Sequence, residues 1–130
     1  MVLGAWVGDV PDAEVVVNDA WPEGMGSSLR AGLAALDAHP DVDRALVSLV
    51  DLVGLTPEAV GRVLGSVADL AAAAYDGRRG HPVLLARSRW VDAAAVAHGD
   101  RGASDLLATA DVDLVEVGDL ATDDDLDHRP

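Results

Sequence analysis

The stretch 44-RALVSLVDLVGLTP-57 decides the fold. After Arg44, residues 45–50 are aliphatic except for Ser48, a run of the length and kind that makes a buried strand. The run leads straight into Asp51. Residues 52–57 then read as a loop in which Thr56 caps a helix and Pro57 takes its first position, where a missing N–H costs nothing. Val60, Val63, Leu64 and Val67 recur at helical spacing and give that helix an apolar face. Strand, acidic loop and helix together form the repeating unit of a parallel α/β sheet.

The same alternation extends in both directions. Met1 to Val7 is a short apolar piece ending at Gly8-Asp9, and residues 14–18 (EVVVN) read as a short buried strand closed by Asn18. The loop 19-DAWPEGMGSS-28 delivers Ser27 or Ser28 as an N-cap, and Leu29, Leu33 and Leu36 place a helix over 28–38, before the His39-Pro40 break. Downstream, Leu70 to Tyr75 admits two readings. Four consecutive alanines favour helix by propensity, yet the turn 76-DGRRG-80 and the strand-like 81-HPVLLAR-87 fit a ribbon of two strands. Helices are expected over 90–97 and 103–110, and a last strand over 113–117. The expected architecture is one α/β domain over residues 1–121, a three-layer sandwich with a mostly parallel sheet. An acidic tail over 122–130 is expected to fray.

Composition narrows the function. With 130 residues and 50% apolar content the chain has the size of a single folded domain. Its net charge of −14 argues against nucleic acid, whose phosphates need basic partners, and against an anionic membrane surface. There is no Lys, so a phosphate must be met by Arg, by backbone N–H groups or by a metal ion. The absence of Cys excludes disulfides and thiolate chemistry. Cytoplasm is the expected compartment, since no run is long enough to span a bilayer and no basic leader precedes an apolar stretch.

Asp51 is the first candidate residue. The carboxyl end of a central strand is where open α/β sheets bind ligands, and a carboxylate there suits a hard cation such as Mg²⁺ held on substrate phosphates. The plainer alternative is an Asp that caps its own loop. Gly26, Ser27 and Ser28 lead into a helix N-terminus able to receive an anion or a polar base edge, or simply shape the turn. Arg78 and Arg79 could hold a phosphate, or form a solvated hairpin tip, and His81 is fixed by Pro82 in extended backbone. Asp119, after the last strand, could share a metal with Asp51 if the two strand ends are neighbours.

Taken together, VVVNDAWPEGMGSSLRAGLAAL (15–36), ALVSLVDLVGLTP (45–57), YDGRRGHPVLLAR (75–87), GDRGASDLL (99–107) and DLATDDDL (119–126) resemble the MobA-like nucleotidyltransferases. The resemblance is strongest to the molybdenum-cofactor cytidylyltransferase branch and covers nearly the whole chain. It implies a Rossmann-like fold and transfer of a nucleoside monophosphate from a nucleoside triphosphate, CTP or GTP, to a phosphorylated pterin-type acceptor. Mg²⁺ would assist and pyrophosphate would leave.

By that resemblance Asp51 is the metal-binding Asp, Ser27 and Ser28 lie on the nucleotide side, and Gly80, His81 and Pro82 form the acceptor-side turn. The sequence also departs from the pattern. Leu52 and Val53 replace Gln and Pro after the Asp, and Ala121 replaces a second carboxylate beyond Asp119. The family's first strand, glycine-rich loop and first helix are not seen here, because Val2-Leu3-Gly4-Ala5 matches the end of its second strand. The expectation is therefore a domain that is inactive alone. Its uncovered sheet edge would be closed by self-association or by a second chain. The alternative is a non-catalytic remnant serving as a binding or oligomerisation module.

Overall fold

The computed structural model describes residues 1–3, 14–49, 52–97, 104–109 and 111–123. Asp51 and the acidic tail beyond Asp123 lie outside the described residues. The chain forms two compact units, Met1–Asp43 with Ser88–Ala110, and Arg44–Arg87 with Asp111–Pro130.

In the first unit, β1 (Val2–Leu3) and β2 (Val16–Val17) pair in parallel, Val2 with Val16 and Leu3 with Val17. Helix α1 (Met25–Asp37) packs beside β1, and a Cβ on Gly32 would stand 3.2 Å from Val2 Cγ2. Helix α3 (Trp90–Val96) packs on α1 with Trp90 and Ala93 buried, and α4 (Ser104–Thr109) packs on α3. The Arg30 guanidinium donates to the carbonyl of Ala97, tying the end of α3 to α1.

In the second unit, β3 (Arg44–Val47), β4 (Leu70–Tyr75), β5 (Arg78–Ala86) and β6 (Asp113–Glu116) form a sheet in the order β3-β5-β4-β6. The α/β class expected from the sequence is the class found. Within this unit the sheet is mixed: β5 runs antiparallel to β3 and β4, while β4 and β6 are parallel. The cause is local. Asp76 and Gly77 join β4 to β5 with φ of 53° and 80°, the left-handed pair that a two-residue hairpin needs, and a hairpin can only return antiparallel. This turn also settles the alanine run. Helix preference among ordinary residues is worth at most about 0.7 kcal/mol each, less than a ladder hydrogen bond at about 1 kcal/mol. Ala71 to Ala74 therefore go with their partners on β5 and β6, and all four are buried.

Helix α2 (Pro57–Leu64) begins as the sequence predicts: Thr56 accepts from the Ala59 amide and Pro57 follows. It packs on β4 and β5 and buries Ala59 and Val63 with Ala71, Ala73, Tyr75, Leu84, Val117 and Ala121. The expected apolar face is shorter than Val60 to Val67. The helix stops at Leu64, where the Gly65 amide turns back to Gly61 and Arg62, and Val67 is fully exposed.

Candidate functional site

The serine segment of the first unit is built from the inside. Gly24, at φ 103°, makes the entry into α1, and no side chain caps that end. The sequence places an N-cap at Ser27 or Ser28; both instead lie inside the first turn, because the backbone of Gly24 already begins the helix. Ser27 is buried, and its hydroxyl lies 2.7 Å from the Gly24 carbonyl and 3.0 Å from that of Ala20, either of which can take its single proton. The buried Asn18 side chain donates to Ser27 Oγ at 2.9 Å and to Ser28 Oγ at 3.1 Å, while its own oxygen receives the Ala20 amide at 3.0 Å. Asn18 and Ser27 thus lock the loop 18–28 onto the helix. Ser28 is half-buried, and among the described residues its hydroxyl proton has no acceptor. Gly26, the second residue of α1, is buried. The chemistry this arrangement can offer is one oriented O–H donor at Ser28 beside the first turn of α1.

In the second unit, the residues Arg79 to Pro82 form a bulge. Ala72 pairs with Val83 and Ala74 with Arg79, so Gly80, His81 and Pro82 all stand opposite Ala73 alone. Bulges redirect side chains out of a ladder and recur beside binding sites. Tyr75 backs this one. Its ring lies across Gly80, where a Cβ would come within 2.9 Å of Cε2, and its hydroxyl donates to the His81 carbonyl at 2.7 Å. Burial, helped by the charge of Asp123, raises the Tyr75 pKa above its ordinary value, so the hydroxyl keeps its proton. Pro82 is fully buried and the His81–Pro82 peptide is cis, while His81 is half-buried and Arg79 exposed. Arg78 pairs with Asp123 at 3.5 Å; among the described residues no carboxylate pairs with Arg79.

The loop after Asp51 is held against the segment beyond β6. The Thr122 amide donates to the Gly54 carbonyl at 3.3 Å, and the Thr56 hydroxyl donates to the Leu120 carbonyl at 3.0 Å. A Cβ on Gly54 would meet Thr122 Oγ1 at 1.9 Å, so only glycine allows this approach. Asp119 lies on the same segment, bound to Arg62 through both oxygens at 2.7 and 3.2 Å. That hydrogen bond lowers the Asp119 pKa and raises that of Arg62. Ala121 is buried in the core beside Ala59 and Val117. Among the described residues no group of three or more His, Asp or Glu is placed to hold a metal ion, and the Asp119 carboxylate is already engaged.

The structure thus puts Arg79 to Pro82 and Asp119 in one unit and Gly26 to Ser28 in the other. Three residues of these surroundings escape sequence reasoning. Asn18 reads as the end of a strand, although a buried Asn next to a Ser pair signals a polar lock. Tyr75 is the one tyrosine of the chain, and only its contacts give it a role. Glu116 accepts from the amides of Asp76, Gly77 and Gly118, and no local pattern announces the two bonds that reach back to Asp76 and Gly77.

Residues 5–116 match the MobA-like NTP transferase domain. The nicotine blue oxidoreductase of Paenarthrobacter nicotinovorans is 38% identical over 124 residues, covering 87% of this chain. The chain spans 59% of that relative's length. Among solved structures, a Mycobacterium sp. strain JC1 homologue of Mycobacterium tuberculosis Rv0371c superposes with a TM-score of 0.76 at 27% identity, over 95% of this chain and 67% of that one. Rv0371c of Mycobacterium tuberculosis itself, solved in complex with manganese, gives a TM-score of 0.72 at 24% identity, over 89% of this chain and 65% of that one, and shares the fold. No helix among the described residues is long and apolar enough to cross a membrane. By its sequence match, its α/β architecture and its solved relatives, the chain belongs to the MobA-like NTP transferase family.

Proposed function

We propose that this chain is a nucleotidyltransferase domain of the molybdenum-cofactor type. It would transfer the nucleoside monophosphate of CTP or GTP to a molybdopterin-type phosphorylated acceptor. An acceptor phosphate oxygen forms a bond to the α-phosphorus, the bond from that phosphorus to the bridging oxygen breaks, and pyrophosphate leaves with the electron pair. The observation that carries this reading is the bulge Gly80–His81–Pro82, backed by Tyr75 and flanked by Arg79, a cation that pairs with no carboxylate among the described residues. A guanidinium beside a backbone bulge that opens on a glycine suits a phosphorylated acceptor. The nucleotide side is assigned to Gly26, Ser27 and Ser28, with the Ser28 hydroxyl as the donor that has no acceptor among the described residues.

Mg²⁺ would accompany the triphosphate. The described residues do not themselves assemble a metal site, since Asp119 is engaged by Arg62, and no step is drawn through the ion. What Asp51 contributes is part of the proposal. The deciding experiment is pyrophosphate release from CTP or GTP with Mg²⁺ and a pterin acceptor. Turnover above an Asp51→Ala control supports the reading, and its absence rules out independent catalysis.

A second reading, a non-catalytic module that binds or oligomerises, is favoured by Ala121. This residue is packed in the apolar core at the position where the resemblance expects a carboxylate. The second reading expects association with another chain or a second copy, and light scattering would detect it. Oxidoreduction of nicotine blue, the activity in the relative's name, can be assayed on the same preparation.

A further inference from the structure

We propose that Glu116 is the positioning residue of the arm 76–82, holding the hairpin tip from β6 and so setting where the bulge stands. The importance of the arm for an acceptor rests on the nucleotidyltransferase reading; the hold itself does not.

In a hairpin closed by the pair Tyr75 and Arg78, the amides of the two central residues are left out of the ladder and ordinarily face water. Here neither does. Gly77 donates to Glu116 Oε1 at 2.9 Å, and Asp76 donates to Oε2 at 3.1 Å. Oε2 also takes the Gly118 amide at 2.8 Å, so the carboxylate is fixed to the segment just after β6 as well as to the tip. Glu116 pairs with Ala74 at the last rung of the parallel ladder, and the Val117 amide donates to the Ala74 carbonyl at 2.9 Å. The root of this side chain is therefore part of the sheet. Only a carboxylate can serve all three amides, since a Gln would turn an NH₂ group toward donors. The amide bonds lower the Glu116 pKa, led by that of Gly77.

The tip matters to the bulge because it is one of the two ends that fix it. Between Arg79 and Val83 the arm makes no rung with β4. Gly80 to Pro82 run from the tip at one end to Val83 at the other, which pairs with Ala72 and Val47, and the Tyr75 hydroxyl holds the His81 carbonyl between them. Two rungs, Ala74 with Arg79 and Tyr75 with Arg78, connect the tip to the bulge. The charges around the hold are Arg62, which donates to the Glu116 carbonyl at 2.9 Å, together with Asp119 and Asp76. A tip released from Glu116 would be held only by these two rungs and by the Arg78–Asp123 pair among the described residues.

The test is amide hydrogen exchange and chemical-shift mapping on the full ¹⁵N-labelled chain, with no turnover required. In the unaltered protein the Gly77 amide should exchange slowly although it lies outside the ladder. Glu116→Gln and Glu116→Ala should speed it by roughly tenfold or more, the scale of one charge-assisted hydrogen bond. In the same variants the Gly80 and His81 signals should move or broaden, while the Leu84 and Leu85 amides keep their protection. If the alanine variant does not fold, the glutamine variant and the unaltered protein still decide. Fast Gly77 exchange in the unaltered protein overturns the proposal. So do Gly80 and His81 signals that stay in place once Gly77 is released, which would make Glu116 a local fastening only. A chain that meets these expectations yet never turns over nucleotide keeps the hold and loses the functional reading.

Discussion

The hydroxyl of Tyr75 donates to the main-chain oxygen of His81 at 2.7 Å, reaching across the bulge from the neighbouring strand. Tyr75→Phe keeps the ring on Gly80 and deletes only that bond. The expected loss of stability in urea unfolding is about 1 kcal/mol, the net worth of one such bond. If the bulge receives the acceptor, KM for the acceptor should rise more than kcat falls. An unchanged KM beside the expected stability loss would confine the hydroxyl to folding.

Gly80→Ala tests the same contact by crowding. The new methyl would stand 2.9 Å from Tyr75 Cε2 and 3.1 Å from Cδ2, so the ring or the strand must move. Overpacking of this kind costs about 1–3 kcal/mol. A shifted Tyr75 near-ultraviolet or NMR signal should accompany the loss, and wild-type stability with an unmoved ring would contradict the packing described.

Asn18 and Ser28 should separate into structure and binding. Asn18→Ala leaves the buried Ser27 without its donor and should destabilise by about 1–3 kcal/mol in thermal or urea unfolding. Ser28→Ala removes a half-buried hydroxyl that accepts from one N–H of Asn18, so stability should fall by about 1 kcal/mol, the net worth of one such bond. Titration calorimetry with CTP and GTP should show that same variant binding nucleotide about tenfold more weakly. Unchanged affinity would remove Ser28 from the nucleotide side.

Acid should weaken the second unit through two carboxylates. Glu116 is held below its ordinary pKa of 4.5 by backbone amides and Asp119 below 3.8 by Arg62. Both are deprotonated in the folded state at pH values where the unfolded chain begins to bind protons. Their contribution is therefore complete above about pH 5 and is lost as pH falls through the lowered values. Unfolding measured across pH 6 to 3 should show this decline. Asp119→Asn should flatten part of it, and an unaltered slope in that variant would contradict the pairing with Arg62.

The parts of the fold legible in the sequence are those in which neighbouring residues settle the outcome. Thr56 and Pro57 announce the start of α2, and Asp76-Gly77 announces a turn, because each depends on the backbone of a few adjacent residues. Ala71 to Ala74 remained open between helix and strand because four methyl groups carry no periodicity. The candidate site was legible as a set of motifs and not as a set of contacts. Ser27 and Ser28 look alike in sequence, yet one is locked inward and the other keeps its donor. The bulge depends on an offset in register between distant strands, and the Glu116 contacts join residues separated by 39 and 40 positions.

The alanines of β4 set how this domain can change. Ala71, Ala72, Ala73 and Ala74 are each 2% exposed or less, in a strand paired on both sides. Truncation, the commonest route to a damaged interior, has almost nothing to remove there. Growth is the hazard: a methyl added to Ala71 or Ala73 must displace α2, and an interior packed to crystal-like density has few gaps to receive it. Mutational drift through this strand should therefore be one-sided, silent toward glycine-sized losses only at the expense of strand stiffness and costly toward valine or leucine. A domain built on such a strand keeps its shape by having no smaller version of its centre to fall back on.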